Sequence, residues 1–320
     1  MNNISKPRAY AVKHPDASIR KESQSGGIFT ALSDHILSEG GVVYGCVMSE
    51  PYKAVHQRAE TAEQRDRMRG SKYIESKLGD TFKNVKADLL DGRKVLFSGT
   101  PCQVDGLKCF LGKPYENLYL VDIICHGVPS PDVWKKYLEW QESRHGKCVG
   151  VDFRNKKQFG WAEHIESMHF LKNGKKKRID SRVFTNIFYA HIMLRPSCYE
   201  CKYKTAFHPG DITIADFWAI REAFPAFDDN KGVSLVLMNS EKGQKLFDSV
   251  SDKVICSETE YKKSTRPTMF NPPKRPDSRD KFWDDFKQKD FGYIAERYGG
   301  HGTKMALKIK MRRIINRKVK

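Results

Sequence analysis

Two short apolar runs that each lead into a cysteine constrain the fold of this 320-residue chain more than any other feature. Residues 94–97 lead through a Gly-Thr-Pro turn to Cys102, and residues 117–124 lead directly to Cys125. A helical pattern over residues 104–111 separates the two runs. Strands that alternate with helices favour a parallel sheet. Because ligands of such sheets gather at the carboxyl ends of the strands, both cysteines fall where a binding site is expected.

The periodicity of the remaining chain extends this pattern. Further helices are predicted around Phe29, Leu32 and Ile36, over residues 60–69, up to Leu90, and over 279–298, and further strands over 41–48 and 212–218. We therefore expect an α/β protein with a mostly parallel or mixed sheet, flanking helices, two closely packed domains and a helical basic C-terminal tail. The expected segments are a domain over 1–92, a domain over 93–260, and a proline-rich linker, helix and tail over 261–320.

Four cysteines form a candidate metal site. Cys102 and Cys125 stand alone, whereas Cys198 and Cys201 form a Cys-x-x-Cys pair. Four thiolates complete either a zinc site or an iron–sulfur cluster, and structural zinc generally uses two close pairs, so the spacing weakly favours a cluster. The alternative is that the two lone cysteines are small buried hydrophobic residues. The cysteines without such turn neighbours, expected to be core or surface thiols, are Cys46, Cys109, Cys148 and Cys256.

Three smaller features are candidates for contact with a cofactor. The segment 23–27 precedes the first amphipathic helix, where helix N–H groups receive a phosphate or Ser25 caps the helix. Lys72 follows Gly-Ser in a turn and faces either a negative charge or solvent. His126, directly after Cys125, is a proton donor or, in the interpretation we favour, a hydrogen-bond donor to a neighbouring sulfur.

The charge of the chain predicts an anionic partner. The formal net charge is +18, and residues 304–320 contribute eight basic residues and no acidic one. An anionic membrane surface, an acidic electron carrier and nucleic acid all satisfy this charge. The tail is either a basic amphipathic helix that lies on such a membrane, with Leu307, Met311, Ile314 and Ile315 on one side, or a frayed end.

The compartment follows from what the sequence lacks. It contains no apolar run long enough to span a membrane and no apolar leader near the N-terminus. We expect a cytoplasmic protein, peripheral at the inner membrane face if the tail binds lipid. In that reducing compartment, clustered cysteines hold metal more often than they form disulfides.

Six motifs in fixed order resemble those of one family. They are Ser-x-Ser-Gly-Gly-Ile-Phe from residue 23, Gly-Ser-Lys-Tyr from 70, Gly-Thr-Pro-Cys-Gln-Val from 99, Asp-Ile-Ile-Cys-His-Gly-Val-Pro-Ser from 122, Phe-Arg-Asn-Lys with Gly-Trp from 153, and Cys-x-x-Cys with Asp-Ile-Thr-Ile and Asp-Phe-Trp from 198. Over residues 10–250 the chain resembles the beta subunit of coenzyme F420 hydrogenase/dehydrogenase. The likeness is nearest to the bacterial branch found among polysaccharide biosynthesis genes.

The resemblance implies an oxidoreductase that depends on FAD and a 4Fe-4S cluster. Electrons would pass through these groups between an iron–sulfur carrier and a hydride acceptor. By resemblance, the cluster ligands are Cys102, Cys125, Cys198 and Cys201, and the flavin side is lined by Ser25, Gly26, Gly27, Ser71, Lys72 and Tyr73. Lys72, which would stabilise the reduced flavin, and His126 are the catalytic candidates. Residues 1–92 would form the flavin-associated domain and 93–260 the iron–sulfur and flavin domain.

The chain departs from the family pattern in two ways. Bacterial relatives carry an N-terminal ferredoxin-like domain that this sequence lacks, so a separate ferredoxin-like carrier is the expected partner. The acceptor is a small molecule, either a deazaflavin coenzyme or a polysaccharide-pathway intermediate. In addition, the family's Gly-Asp-Phe-Trp-Gly has alanine at both ends here, at Ala215 and Ala219, which changes the expected packing beside Trp218.

Two other function classes are alternatives to an oxidoreductase. One is a non-redox or zinc-binding accessory protein of surface polysaccharide biosynthesis. The other, a nucleic-acid-binding module, is not expected, because Trp161, Phe217 and Trp218 lie in apolar runs and not among the basic residues.

Overall fold

The computed structural model describes residues 7–318 of the chain. The strands are β1 (Arg8–Lys13), β2 (Val42–Ser49), β3 (Lys53–Ala59), β4 (Val95–Gly99), β5 (Leu118–Ile123), β6 (Lys147–Asp152), β7 (Glu166–Lys172), β8 (Lys175–Ser181), β9 (Ile212–Asp216), β10 (Ser234–Met238) and β11 (Ile255–Thr259). The N-terminal residues examined for a leader and the last two residues of the basic tail lie outside this range.

Helices separate most of the strands. They are α1 (Ala17–Glu22), α2 (Ile28–Ser38), α3 (Ala62–Asp66), α4 (Thr81–Leu90), α5 (Pro101–Leu111), α6 (Pro131–His145), α7 (Lys156–Phe159), α8 (Val183–Tyr189), α9 (Ile220–Ala223), α10 (Glu241–Asp248), α11 (Tyr261–Ser264), α12 (Ser278–Gln288), α13 (Phe291–Arg297) and α14 (Thr303–Lys318). In the described part of the chain, no helix is both long and apolar enough to cross a membrane.

An eight-stranded mixed sheet forms the larger part of the fold, in the order β11-β1-β10-β9-β5-β4-β2-β3. Strands β2, β4, β5 and β9 run parallel to one another, and β1 has the same direction because both it and β9 pair antiparallel with β10. The other two strands, β3 and β11, are antiparallel edge strands. The expected α/β class and mixed sheet are therefore confirmed.

Helices cover both faces of this sheet. On one face α2 and α10 pack over alternate strand residues such as Leu96 and Val121. On the other face α4 and α5 pack over the strand residues that point the other way, including Phe97 and Leu120. Because both faces are covered, the central strands are apolar along their length, and all five residues of β10 are buried.

A second unit contains a smaller antiparallel sheet, β6-β7-β8, and an aromatic core. Trp134 and Tyr137 of α6 pack on Phe184 of α8, with ring centroids 5.2 and 5.6 Å apart. Phe153 and Phe291 extend the cluster at 5.0 Å from Trp134 and 5.6 Å from Tyr137. Such aromatic pairs supply large buried areas, which lets a small sheet support a stable unit.

The two compact units do not follow the three predicted segments. The first contains the chain up to Lys72, Ser76–His126 and Cys201–Asn271, and the second contains Tyr73–Glu75, Gly127–Glu200 and the chain from Pro272. The chain crosses between units because β9, β10 and β11 complete the sheet that the N-terminal strands begin. This topology depends on long-range strand pairing, which local sequence patterns do not reveal.

Two predicted elements need correction, and one strand beside them was not predicted. The charged stretch over 60–69 is helical only in α3, because β3 extends to Ala59 and Thr61 caps the helix. The single helix predicted over 279–298 is two helices, α12 and α13, because the Asp290 side chain accepts a hydrogen bond from Tyr293 N at 3.0 Å and starts a new helix. Strand β3 had no counterpart in the prediction.

Candidate functional site

The carboxyl ends of the five parallel strands lie along one edge of the large sheet, here called the carboxyl edge. Gly99 of β4 is paired with Asp122 of β5. Cys102 and Cys125 each follow three residues after this pair, so the two cysteines lie beyond neighbouring strand ends. Cys102 is the second residue of α5 and is exposed, with its thiol 3.1 Å from Thr100 Oγ1, and Cys125 is half-buried.

The Ser25-Gly26-Gly27 loop lies at the same edge, beside the ends of β1 and β10. Gly26 N donates to Ser234 Oγ at 2.9 Å, and Ser25 Oγ donates to Val233 O at 2.5 Å. A Cβ on Gly26 would overlap Val12 O and lie 2.6 Å from Ser234 N. Only glycine therefore allows this loop to lie so close to the strand ends.

The start of α2 has no side-chain cap. Its N-cap residue, Gly27, has a φ of 96°, and no side chain caps the helix. The Ser25 hydroxyl donates to Val233 O, next to β10, and Gly27 holds the N-cap position of α2. Free N–H groups at a helix start form a favourable position for a phosphate or another anion.

Lys72 is held by the backbone of the turn before it. Its ammonium group donates to Arg67 O at 3.2 Å, Met68 O at 2.8 Å and Arg69 O at 2.8 Å. Burial lowers the pKa of Lys72 to about 8, although the nearby Cys46 acts in the opposite direction. The lysine thus carries its charge at neutral pH, but it must release a carbonyl to bind a ligand directly.

A histidine and a cysteine that the sequence did not single out lie near Lys72. The His56 ring is buried, with Nε2 donating to Ser98 O at 3.0 Å and Nδ1 accepting from Ser76 Oγ at 2.7 Å. Burial lowers the pKa of His56 to about 4, so the ring is neutral at pH 7. Burial also raises the pKa of the Cys46 thiol. The nearby Lys72 and Ser76 partly offset this rise. The sequence did not indicate His56 as a site residue, because its strand, β3, was not predicted.

A buried Asp–His pair also lies beside this edge. Asp122 is fully buried and accepts from Thr213 Oγ1 at 2.6 Å, Gly210 N at 3.0 Å and His208 Nδ1 at 3.1 Å. The His208 side chain is only 3% exposed, and its Nε2 has no hydrogen-bond partner among the described residues. The Asp-Ile-Ile-Cys motif places Asp122 three residues before Cys125, but nothing in the sequence links it to His208.

The other predicted residues are divided between the units. Cys201, Ser71 and His126 are half-buried and belong to the first unit. Cys198 ends a short 3-10 helix in the second unit, where its sulfur accepts from Val128 N at 3.3 Å. Tyr73, also in the second unit, packs against Phe188 at 5.2 Å between ring centroids.

The four thiols have the chemistry of cluster ligands. Within residues 7–318, no three Cys, His, Asp or Glu side chains are grouped closely enough to hold a metal ion. The loops of Cys102 and Cys125, the uncapped start of α2 and the Lys72 turn lie along the carboxyl edge, and the complete ligand set stays a prediction.

Two family models match the chain in succession. The N-terminal model of the coenzyme F420 hydrogenase/dehydrogenase beta subunit covers residues 9–83, and the C-terminal model of the same subunit covers residues 92–264, more than half of the chain. The chain belongs to this beta subunit family. The family resemblance drawn from the six motifs is thereby confirmed, and the polysaccharide branch stays a prediction.

Two proteins that resemble this chain share a quarter or less of their aligned residues with it. A coenzyme F420-dependent sulfite reductase from Methanocaldococcus jannaschii is 25% identical over 252 residues, which are 72% of this chain and 35% of the reductase. The chain thus spans about a third of that relative. A solved structure of an F420-reducing [NiFe] hydrogenase complex from Methanosarcina barkeri contains a chain with the same fold, at a TM-score of 0.51 and 19% identity, covering 79% of this chain and 82% of that one.

Proposed function

We propose that this chain is an iron–sulfur flavoprotein oxidoreductase that passes electrons between an iron–sulfur carrier and a hydride acceptor. The observation that carries the proposal is the placement along one sheet edge of the Ser25-Gly26-Gly27 loop, the Lys72 turn and the loops of Cys102 and Cys125. Membership of the beta subunit family supports the redox class. The fold alone would not, since one fold hosts many activities.

The proposed roles of the residues follow from their positions. FAD and a 4Fe-4S cluster, when bound, supply the hydride and one-electron chemistry. The uncapped start of α2 would hold the flavin phosphates. Gly26 would keep the preceding loop against the ends of β1 and β10. Lys72 would place its positive charge beside the reduced flavin, and His126 would donate a hydrogen bond to a cluster sulfur.

The net charge of the chain supports the proposed electron donor, and a related protein supports the proposed acceptor. A net charge of +18 favours an acidic carrier such as a ferredoxin, whose binding would weaken with salt. The F420-dependent reductase among the relatives supports a deazaflavin coenzyme as acceptor. A polysaccharide-pathway intermediate, such as an unsaturated sugar, is the other acceptor class we propose to test.

The first test is the visible spectrum, with iron, sulfide and flavin content, of protein purified without oxygen. We expect about four iron atoms and one flavin per chain. Zinc in place of iron, or neither iron nor flavin after reconstitution, would contradict the proposal. That result would favour the accessory role in surface polysaccharide biosynthesis.

Matched serine variants test the ligand set. Cys102 and Cys109 are both exposed on α5, so Cys102→Ser and Cys109→Ser disturb the helix alike. We expect Cys102→Ser to lose iron and cluster absorbance and Cys109→Ser to retain both. Cys125→Ser and Cys148→Ser form a second pair with the same expectation. Equal iron content within either pair would show that the assigned ligands are wrong.

The role of Lys72 is tested by the flavin reduction potential. Removal of a positive charge beside the flavin in Lys72→Met destabilises the anionic reduced form. We expect the midpoint potential to fall by about 30 mV or more, equivalent to about 1.4 kcal/mol for a two-electron couple. Lys77→Met, an exposed lysine of the same unit, is the control. An unchanged potential in Lys72→Met would show that Lys72 does not stabilise the reduced flavin. Its role would then be to hold the turn through its three backbone contacts.

A further inference from the structure

Helix α14 is fixed to the second unit by one of its faces. Met305 and Ile309 on this face are 9% and 5% exposed. Arg312 Nε lies 3.1 Å from Glu163 Oε1, and Arg313 pairs with Asp180. These apolar and ionic contacts hold the helix in place, so its remaining surface has a defined orientation on the unit.

The opposite face of α14 is apolar and open to solvent. Leu307, Met311, Ile314 and Ile315 are 58%, 47%, 47% and 52% exposed. At about 3.6 residues per turn, these four side chains fall within an arc of about 100°. We call this surface the outer strip. Met311 and Ile315 also line a cavity together with Ile165 and Ile309. A contiguous group of large exposed apolar side chains marks an interaction surface on a soluble protein.

Basic residues flank the outer strip. Lys308 lies at one border of the arc and Lys310 at the other, Lys304 lies one turn before the strip within the same arc, and all three are exposed. None of the three forms an ion pair within the described chain, and the sequence of α14 contains no acidic residue. The combination of an apolar centre with cationic borders is complementary to an anionic surface that has an apolar interior.

The geometry points to the outer strip of α14 as a docking site for an anionic phospholipid surface. The helix would lie in the plane of the membrane, with its four apolar side chains below the headgroups and its lysines at the phosphates. Each basic residue near such a surface adds to binding, and salt weakens the attraction. This inference goes beyond the proposed redox function, and its test does not depend on iron, flavin or activity.

The charge pattern favours lipid over two other occupants. Pairing with a second copy of α14 would bring Lys304, Lys308 and Lys310 of both chains together, and such like-charge contacts oppose association. An acidic protein would satisfy the lysines. However, within residues 304–315 the strip has no acidic or neutral polar side chain between its lysines that would fix the register of a protein partner.

The test is flotation of the full-length protein with vesicles of phosphatidylcholine, alone or mixed with phosphatidylglycerol. We expect binding only to the mixed vesicles, with a loss when salt is raised. Leu307→Glu combined with Met311→Glu should lower the partition coefficient about tenfold or more, because two carboxylates replace apolar anchors. Lys304→Gln with Lys308→Gln and Lys310→Gln should lower it by a similar factor.

A matched control removes the same charge elsewhere on the same unit. Lys175, Lys176 and Lys177 begin β8 and are exposed, so their glutamine variants preserve the strip while removing three charges. We expect this control to change binding less than about twofold. Circular dichroism should be unchanged in all variants, because every substituted residue is exposed.

Three outcomes would overturn the inference. They are absence of binding to either vesicle, equal loss in the β8 control and in the lysine variant of α14, and binding that survives Leu307→Glu with Met311→Glu. If the strip variants instead alter the sedimentation coefficient of the protein alone, the strip joins copies of this chain. If they abolish binding to an acidic ferredoxin but not to vesicles, the partner is a protein.

Discussion

The eight-stranded and three-stranded sheets of this protein differ in how much of each strand reaches water. All of β10 in the larger sheet is buried, because helices cover both faces. In the smaller sheet, β8 begins with the exposed lysines Lys175, Lys176 and Lys177, and β7 contains exposed residues as well. An antiparallel sheet tolerates one solvated face, whereas a mainly parallel sheet is stable when both are covered.

Because of this difference, the regions around the larger and the smaller sheet suit different kinds of contact. A sheet buried on both faces provides rigid strand ends, and loops on such ends can hold a ligand with fixed geometry. The candidate site residues Gly26, Lys72, Cys102 and Cys125 all belong to that region. The second region displays charged side chains and the outer strip of α14, which suit contacts with large anionic partners.

The largest expected effect tests the tightness of the carboxyl edge. In Gly26→Ala, the new Cβ would overlap Val12 O, so the loop must move away from β1 and β10. We expect a loss of about 4 kcal/mol or more in the free energy of unfolding, measured by urea denaturation. Gly106→Ala in α5 is the control, because its Cβ would meet Phe82 only at 3.6 Å, and it should be neutral or stabilising by up to about 1 kcal/mol. Similar values for both variants would show that the edge is loose.

The second prediction concerns what holds the smaller region. Glu166 is buried and accepts from Tyr137 OH at 2.7 Å, Phe184 N at 3.1 Å, and both Thr185 N and Oγ1 at 3.0 and 2.7 Å. Glu166→Ala leaves these donors unpaired and should destabilise the protein by about 3 kcal/mol in chemical denaturation. The exposed Glu139→Ala should stay within about 0.5 kcal/mol. If the two variants unfold alike, the aromatic core alone supports this unit.

A smaller effect concerns pH and returns to the large sheet. Burial lowers the pKa of His56 to about 4, below its ordinary value of 6.5. Because the unfolded chain binds this proton first, the stability that His56 contributes is complete above about pH 6.5 and is lost as the pH falls towards 4. Between pH 7 and pH 5 we expect a loss of about 2 kcal/mol in the wild type that is absent in His56→Gln. Parallel pH profiles would mean that His56 is accessible to water.

The smallest effect is expected at the outer border of the large sheet. Arg8 on β1 and Glu258 on β11 form an ion pair at 2.7 Å, with both side chains 54% exposed. Solvent and salt screen such a pair, so Arg8→Ala should change the free energy of unfolding by less than about 0.5 kcal/mol. A loss comparable with that of Glu166→Ala would show that exposure does not separate strong from weak contacts here.

Local sequence patterns predicted some of the strands and helices around the candidate site, but not β1 and β10, which contact Gly26. The apolar runs before Cys102 and Cys125 became β4 and β5, and the stripe of Phe29, Leu32 and Ile36 became α2. They failed for β3 and for the break at Asp290, where tertiary contacts or a cap decide the outcome. His56 and His208 were missed for the same reason, since a single histidine has no pattern in sequence.

The sequence by itself determined the class of the fold, the family and the loops that carry the candidate ligands. Those properties depend on local periodicity, on turn residues and on the order of motifs, all of which are present in the linear chain. Only the tertiary structure decided that Ser25 bonds to β10's neighbour Val233, that Lys72 is held by three carbonyls, and that α14 turns its outer strip to solvent. Each of these depends on which distant segments meet, because burial and hydrogen bonding arise between residues far apart in the chain.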